Sequence, residues 1–216
     1  MVQSAGAVWW TLGAAVAGLV LGAAASTLTR RFLAQPRALA GAEWFGGALT
    51  AVVLAFLAWR NGNRDELVVQ SLVAVLGVPL AIIDWFEHRL PRALVLPQLA
   101  AAAVGFAALS IAHAEPEPGL RALVASVALA AAFLALAVAT AGGVGAGDVS
   151  LAAVVGLVCG WLGWPQVLGA LVVALLLALC LVAIPAARRR DERGAAVVPF
   201  GPCLLGGTLA MVLAAG

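Results

Sequence analysis

Eight long apolar runs follow one another along the chain, at about residues 6–28, 41–59, 67–84, 93–113, 120–141, 149–163, 165–186 and 197–215. Nothing else in the sequence restricts the fold as much. A bilayer's hydrocarbon core is ~30 Å thick, so a crossing helix needs about 20 apolar residues, and lipid offers no partner to an unbonded peptide group. The runs lack the period-two alternation of barrel strands, so each is expected to be a helix. Composition agrees. Of 216 residues, 64% are hydrophobic and 10% charged, with a mean hydropathy of +1.10, against roughly 25% charged in an ordinary soluble domain. The expected fold is all-α: one polytopic transmembrane bundle of about eight segments, a single domain over residues 1–216. Its surroundings are the lipid bilayer, and no nucleic acid is expected as a partner.

The first run has no basic residues ahead of it and exceeds the apolar stretch of a cleaved signal, so a retained helix is expected there. The sixth is short for a full crossing and begins in the glycine-rich stretch Gly142 to Gly147. Such an irregular start is tolerated only where protein or water covers the backbone. Gly160 to Pro165 reads as a tight turn between the sixth and seventh runs, with Trp161 and Trp164 at the membrane interface. The cysteines Cys159, Cys180 and Cys203 lie inside apolar runs without CxxC spacing and read as packing residues rather than metal ligands or disulfide partners.

All twelve basic residues are arginine. If the segments alternate in direction, Arg30, Arg31, Arg37, Arg89, Arg92, Arg188, Arg189, Arg190 and Arg193 share one side, while Arg60, Arg64 and Arg121 share the other. The positive-inside rule makes the first side cytoplasmic and leaves both termini outside. Asp84 then closes the third segment and Asp148 opens the sixth, both at the cytoplasmic end.

Among the other acids, Asp65, Glu66, Glu115 and Glu117 fall in outer loops, and Asp191 and Glu192 stand beside arginines, all as surface charges. Glu43 and Glu87 read as interfacial at the inner end. A charge at the centre of a bilayer helix costs at least ~2.5–3.5 kcal/mol on insertion scales, so an acid abutting an apolar segment is a functional candidate. If the fold brings Asp84 and Asp148 together, the two carboxylates cannot both ionise cheaply and tend to share a proton. One can then deprotonate a water while the other polarises a peptide carbonyl. That chemistry needs no metal, no cofactor and no Ser or Cys nucleophile. His113 lies at the outer end, and His88 stands beside Glu87 in an inner loop as an interfacial residue. Gly145 and Gly147 flank Ala146 just before Asp148, where they permit close backbone approach and φ > 0 so that the carboxylate reaches its partner. Taken alone, the G-x-G-D spacing also fits a glycine-rich turn in which Asp148 caps the next helix.

Three blocks carry a resemblance. "IIDWFEHRLPRALVLP" (82–97) has an aspartate at a helix end, a short loop, and Pro91, Leu94 and Pro97 in a P-x-x-L-x-x-P pattern. "GAGDVSLAAVVGLVCGWLGW" (145–164) carries the G-x-G-D, and "VPFGPCLLGG" (198–207) opens the last helix with P-F-G-P. "GLVLGAAASTLTRRF" (18–32) is a weaker echo of a first helix. From about residue 40 onward the chain resembles the type IV prepilin peptidases, aspartic intramembrane enzymes of the G-x-G-D class. The resemblance implies an aspartic endopeptidase that removes the short basic leader of type IV pilin-like precursors, of pilus, secretion or DNA-uptake systems. The cut falls at the cytoplasmic membrane face, after a glycine that precedes a hydrophobic helix. It implies Asp84 and Asp148 as the catalytic pair, without dividing acid from base.

Larger members of that family carry a cytoplasmic domain with paired CxxC motifs between their first two helices, associated with methylation of the new amino terminus. Here about a dozen residues around "TRRFLAQPRALAG", without cysteine, join the first two segments, so the resemblance carries peptidase activity and not N-methylation. Ser150 stands where the family commonly has lysine, which alters local electrostatics and leaves the acid pair in place. A basic leader needs an acidic or neutral surface, and Glu43 and Glu87 are the inner-face acids away from the arginine cluster, hence the expected leader contacts. Two other readings fit intramembrane acids: a proton-coupled transporter using Asp84 and Asp148, and a catalytically silent scaffold. Against the transporter, both acids lie at one face and no inverted repeat is evident. No motif reports an oligomeric state.

Overall fold

The computed structural model describes residues 5–32, 43–62, 64–140, 143–184, 189–190 and 196–216. They form eight helices: α1 (Ala5–Phe32), α2 (Glu43–Asn61), α3 (Glu66–Glu87), α4 (Arg92–Ala112), α5 (Pro116–Ala139), α6 (Ala146–Leu162), α7 (Trp164–Ala183) and α8 (Gly201–Ala215). A two-residue antiparallel ladder, β1 (Arg189–Arg190) with β2 (Ala196–Val197), lies between α7 and α8. The protein is otherwise an all-helical, polytopic bundle. Residues 8–27 of α1, and α3, α4, α5 and α7, are long and apolar enough to cross a membrane, while α6 and α8 are shorter apolar helices. The loop charges Arg37, Arg188, Asp191, Glu192 and Arg193 lie outside the described residues.

Helix α6 is the centre of the bundle. It is apolar on every side, and Leu151 through Trp161 are all buried, as a helix without a polar face must be. It packs against α4, α5, α7 and α8. Gly156 and Gly160 let it lie directly on α5: a Cβ at Gly156 would stand 2.5 Å from the Ala125 carbonyl oxygen, and one at Gly160 2.9 Å from Ala122 Cα. Helices associate in lipid by such close contact of small residues, because lipid tails are as apolar as the side chains themselves. α1 and α2 pair by the same device, Gly18 meeting Ala51 and Gly22 meeting Thr50.

Trp161, expected at the interface, is buried instead and stacks on Phe106 of α4 with ring centroids 4.8 Å apart. The reason is that α6 continues through Leu162, so the turn into α7 narrows to Gly163 alone, at φ 149. That conformation is open to glycine and costly for other residues. The remaining six of the seven tryptophans are exposed near helix ends: Trp9, Trp10, Trp59 and Trp164 toward one end of the bundle, Trp44 and Trp85 toward the other. This is the placement of aromatic belts at two membrane interfaces.

Successive helices run in opposite directions. The C-terminus of α3 and the N-termini of α4, α6 and α8 therefore meet at one end, joined by contacts of Leu90 and Gly201. At the opposite end the Arg60 Nε donates to the Leu213 carbonyl at 2.8 Å, Trp10 Nε1 donates to the Gly62 carbonyl at 3.0 Å, and His113 Nε2 lies 3.0 Å from Asp65 Oδ2.

Candidate functional site

Asp84 lies on the last turn of α3. The helix runs on to Glu87 and stops where His88 turns left-handed (φ 51, ψ 41), its N–H returning to the Asp84 carbonyl oxygen at 2.9 Å. A left-handed residue is a common helix stop, and histidine tolerates that region better than most side chains. The Asp84 side chain is buried, 5% exposed. Its Oδ2 accepts the N–H of Gly201 at 2.8 Å. Gly201 is the first residue of α8, where backbone N–H groups lack intrahelical acceptors and the helix dipole is positive. Pro202 follows it at no hydrogen-bond cost, since the first turn has no acceptor to lose.

Asp148 occupies the third position of α6, and Gly145 is the N-cap. The Gly145 N–H donates to Asp148 Oδ2 at 3.1 Å, the acidic half of a capping box. The expected positive φ is not found: Gly145 has φ −70 and ψ 147, and Gly147 lies within the helix. Among the described residues the positive-φ glycines are Gly62 and Gly163. Asp148 reaches back to its own N-cap, so ordinary extended backbone suffices at Gly145. Glycine is needed at 147 for space, because a Cβ there would stand 2.5 Å from Leu90 Cβ and 2.7 Å from the Leu90 carbonyl oxygen.

Leu90, in the loop between α3 and α4, connects the two acids. Its backbone and Cβ abut Gly147, one residue ahead of Asp148, while its Cδ2 lies 3.2 Å from where a Cβ of Gly201 would sit, beside Asp84. Both acids stand at the same end of the bundle, Asp84 near the C-terminus of α3 and Asp148 in the first turn of α6. Asp148 is only half-buried, so the pair combines one enclosed carboxylate with one that solvent can reach. Glu87 ends α3 and Glu43 begins α2, which puts both residues at this end of the bundle. Glu87 is half-buried, and the side chain of Glu43 lies outside the described residues. Ser150 Oγ donates back to the Ala146 carbonyl at 3.2 Å. The three cysteines are free, Cys159 and Cys203 buried and Cys180 exposed. Among the described residues no three His, Cys, Asp or Glu side chains cluster as metal ligands.

Two residues of this end escape a reading of the sequence alone. The Gly201 amide meets an acid 117 positions away, and the P-F-G-P signal marks the start of a helix without naming its partner. Leu90 is one leucine among many.

The family model of the type IV leader peptidases matches residues 71–186. That stretch covers more than half of the chain and contains both aspartates and the G-x-G-D turn. The chain belongs to the type IV leader peptidase family. No curated protein and no solved structure matches it.

Proposed function

We propose that the protein is an aspartic endopeptidase of the cytoplasmic membrane, with its active site on the cytoplasmic face, that removes the leader from type IV pilin-like precursors using Asp84 and Asp148. The observation that carries this reading is the convergence of two acids from different helices on Leu90, at one end of a membrane bundle. Family membership supports the substrate class. Arg89, Arg92 and the β1 pair Arg189 and Arg190 belong to the same end, against Arg60, Arg64 and Arg121 at the other, which supports a cytoplasmic site under the positive-inside rule.

In this reading the two carboxylates carry one proton between them. The ionised member takes a proton from water, and the resulting hydroxide attacks the scissile carbonyl carbon. The protonated member donates to the carbonyl oxygen as it gains charge. The tetrahedral adduct then collapses, and the proton taken from water passes to the departing amine. Asp84 is held by the Gly201 amide, and Asp148, the half-buried member, is the carboxylate that water and peptide reach first. Glu43 and Glu87 receive the basic leader.

Co-expression with a pilin-like precursor tests the reading, with leader loss followed on a gel and the new amino terminus read by mass spectrometry. The expected product begins immediately after the glycine that ends the leader. A precursor that keeps its full leader across a panel of such proteins removes this function.

A further inference from the structure

Helix α8 lies beyond the residues that the family model matches, yet its first amide holds Asp84. Three contacts link the acids in series. Asp84 Oδ2 accepts from Gly201 at 2.8 Å, Gly201 abuts Leu90 Cδ2, and the Leu90 backbone and Cβ abut Gly147 next to Asp148. The contacts at Gly147, with Leu90 backbone and Cβ, and at Gly201, with Asp84, are the tight ones. A Cβ on Gly201 would stand 2.9 Å from Asp84 Oδ2 and 3.2 Å from both Asp84 Cγ and Leu90 Cδ2. On the same helix Gly207 is also tight, a Cβ there running into the Ala170 carbonyl, whereas a Cβ on Gly206 would meet only the flexible tip of Leu177, at 3.1 Å.

We infer that Gly201 and Leu90 are positioning residues of the peptidase, the Gly201 amide setting the orientation of the Asp84 carboxylate and Leu90 setting its spacing from Asp148. The inference rests on the aspartic reading above. Holding Oδ2 fixes the plane of the carboxylate and so directs its other oxygen, which is preorganisation of a reacting group. Neither residue needs to touch the leader. Loss of either therefore lowers kcat and spares KM, the sign of an interaction used in the transition state rather than in substrate binding.

The test compares full-length wild type, Gly201→Ala, Leu90→Ala, Leu90→Met and Gly206→Ala, purified in detergent, on a synthetic precursor segment. Gly201→Ala keeps the donating N–H but sets a Cβ 2.9 Å from Asp84 Oδ2; it is expected to lower kcat about tenfold or more with KM within about twofold, as befits displacement of a reacting carboxylate. Leu90→Ala keeps a Cβ against Gly147 but empties the space beside Gly201; it lowers kcat by a smaller factor, and Leu90→Met restores most of it. Gly206→Ala stays at wild type. A Gly201→Ala enzyme with wild-type kcat, or one whose entire loss lies in KM, overturns the inference, and Leu90→Ala against Leu90→Met decides it if Gly201→Ala does not fold.

A second readout needs no catalysis. A hydrophobic carbodiimide adds the O–H of a carboxyl across one of its N=C bonds to give an O-acylisourea, whose acyl group migrates to nitrogen away from water; the resulting stable N-acylurea, formed with no leaving group, is read as added peptide mass at Asp84. Gly201→Ala is expected to accelerate this labelling relative to both wild type and Gly206→Ala, and equal rates overturn the anchor. The two readouts separate the possible failures. Faster labelling in a chain that cuts no precursor keeps the anchor and removes the peptidase reading; cleavage that needs both aspartates but tolerates Gly201→Ala does the reverse.

Discussion

At one end of the bundle α6 and α8 present their N-termini to carboxylates, Gly145 donating to Asp148 and Gly201 to Asp84. At the other end α6 and α8 present their C-termini to arginines: Arg121 donates to the Gly160 and Trp161 carbonyls at 2.8 and 2.7 Å, and Arg60 to that of Leu213. Both ends obey the helix dipole, which favours anions at N-termini and cations at C-termini. They differ in what remains after capping. The arginines stand on separate helices, α5 and α2, and the Arg121 guanidinium also lies 3.5 Å from Glu117. The carboxylates instead converge on Leu90. A carboxylate has two oxygens and about four acceptor sites, so one backbone N–H leaves most of its capacity for water or substrate. Capping at one end completes the structure, and at the other it leaves each carboxylate with acceptor sites beyond its backbone donor.

Substitutions at the two ends should accordingly separate activity from stability. The largest effect is expected at Gly147→Val, whose Cβ would drive the first turn of α6 away from Leu90; precursor cleavage should fall about 100-fold or more, since a displacement of ~1 Å can cost that much. At the opposite end Arg121→Ala strips donors from two carbonyls and should cost about 1–3 kcal/mol of stability in detergent unfolding, with kcat unchanged. A fall in kcat there would show that the ends are not independent. Reversing Glu43 and Glu87 together to arginine should raise KM for a basic leader about three- to tenfold at low salt, less at high salt, and leave kcat alone; a constant KM would remove both from leader docking. Asp65→Asn, at the exposed pair with His113, should cost at most about 0.5 kcal/mol and leave cleavage unaffected.

The all-helical architecture is legible in the sequence because helix crossing in lipid is a local property, visible in any apolar run of sufficient length. Asp84 and Asp148 stand out for the same local reason, as acids abutting such runs, and alternation of the helices carries both to one end. Contacts between distant segments leave no such trace. The Gly201 anchor and the Leu90 spacer depend on how α3, α6 and α8 meet, which periodicity does not encode. Trp161 illustrates the limit: its neighbours Gly160 and Gly163 suggest a turn, but the packing of a central helix against α4, α5, α7 and α8 outweighs local turn propensity, and the ring stacks on Phe106. The glycines of G-x-G-D are an intermediate case. Their proximity to Asp148 marks them, but Gly145 serves as an N-cap with ordinary extended backbone, and the space that Gly147 provides is set by Leu90, a residue far from it in the chain.

The most direct measurement compares wild type with Asp84→Asn and Asp148→Asn, each purified, matched for unfolding midpoint in detergent, and assayed on the same pilin-like precursor. Asparagine keeps the size and an acceptor oxygen for the Gly201 or Gly145 amide but can neither take nor give the proton. The account predicts leader removal by wild type and none by either variant. Cleavage that survives both substitutions would contradict it.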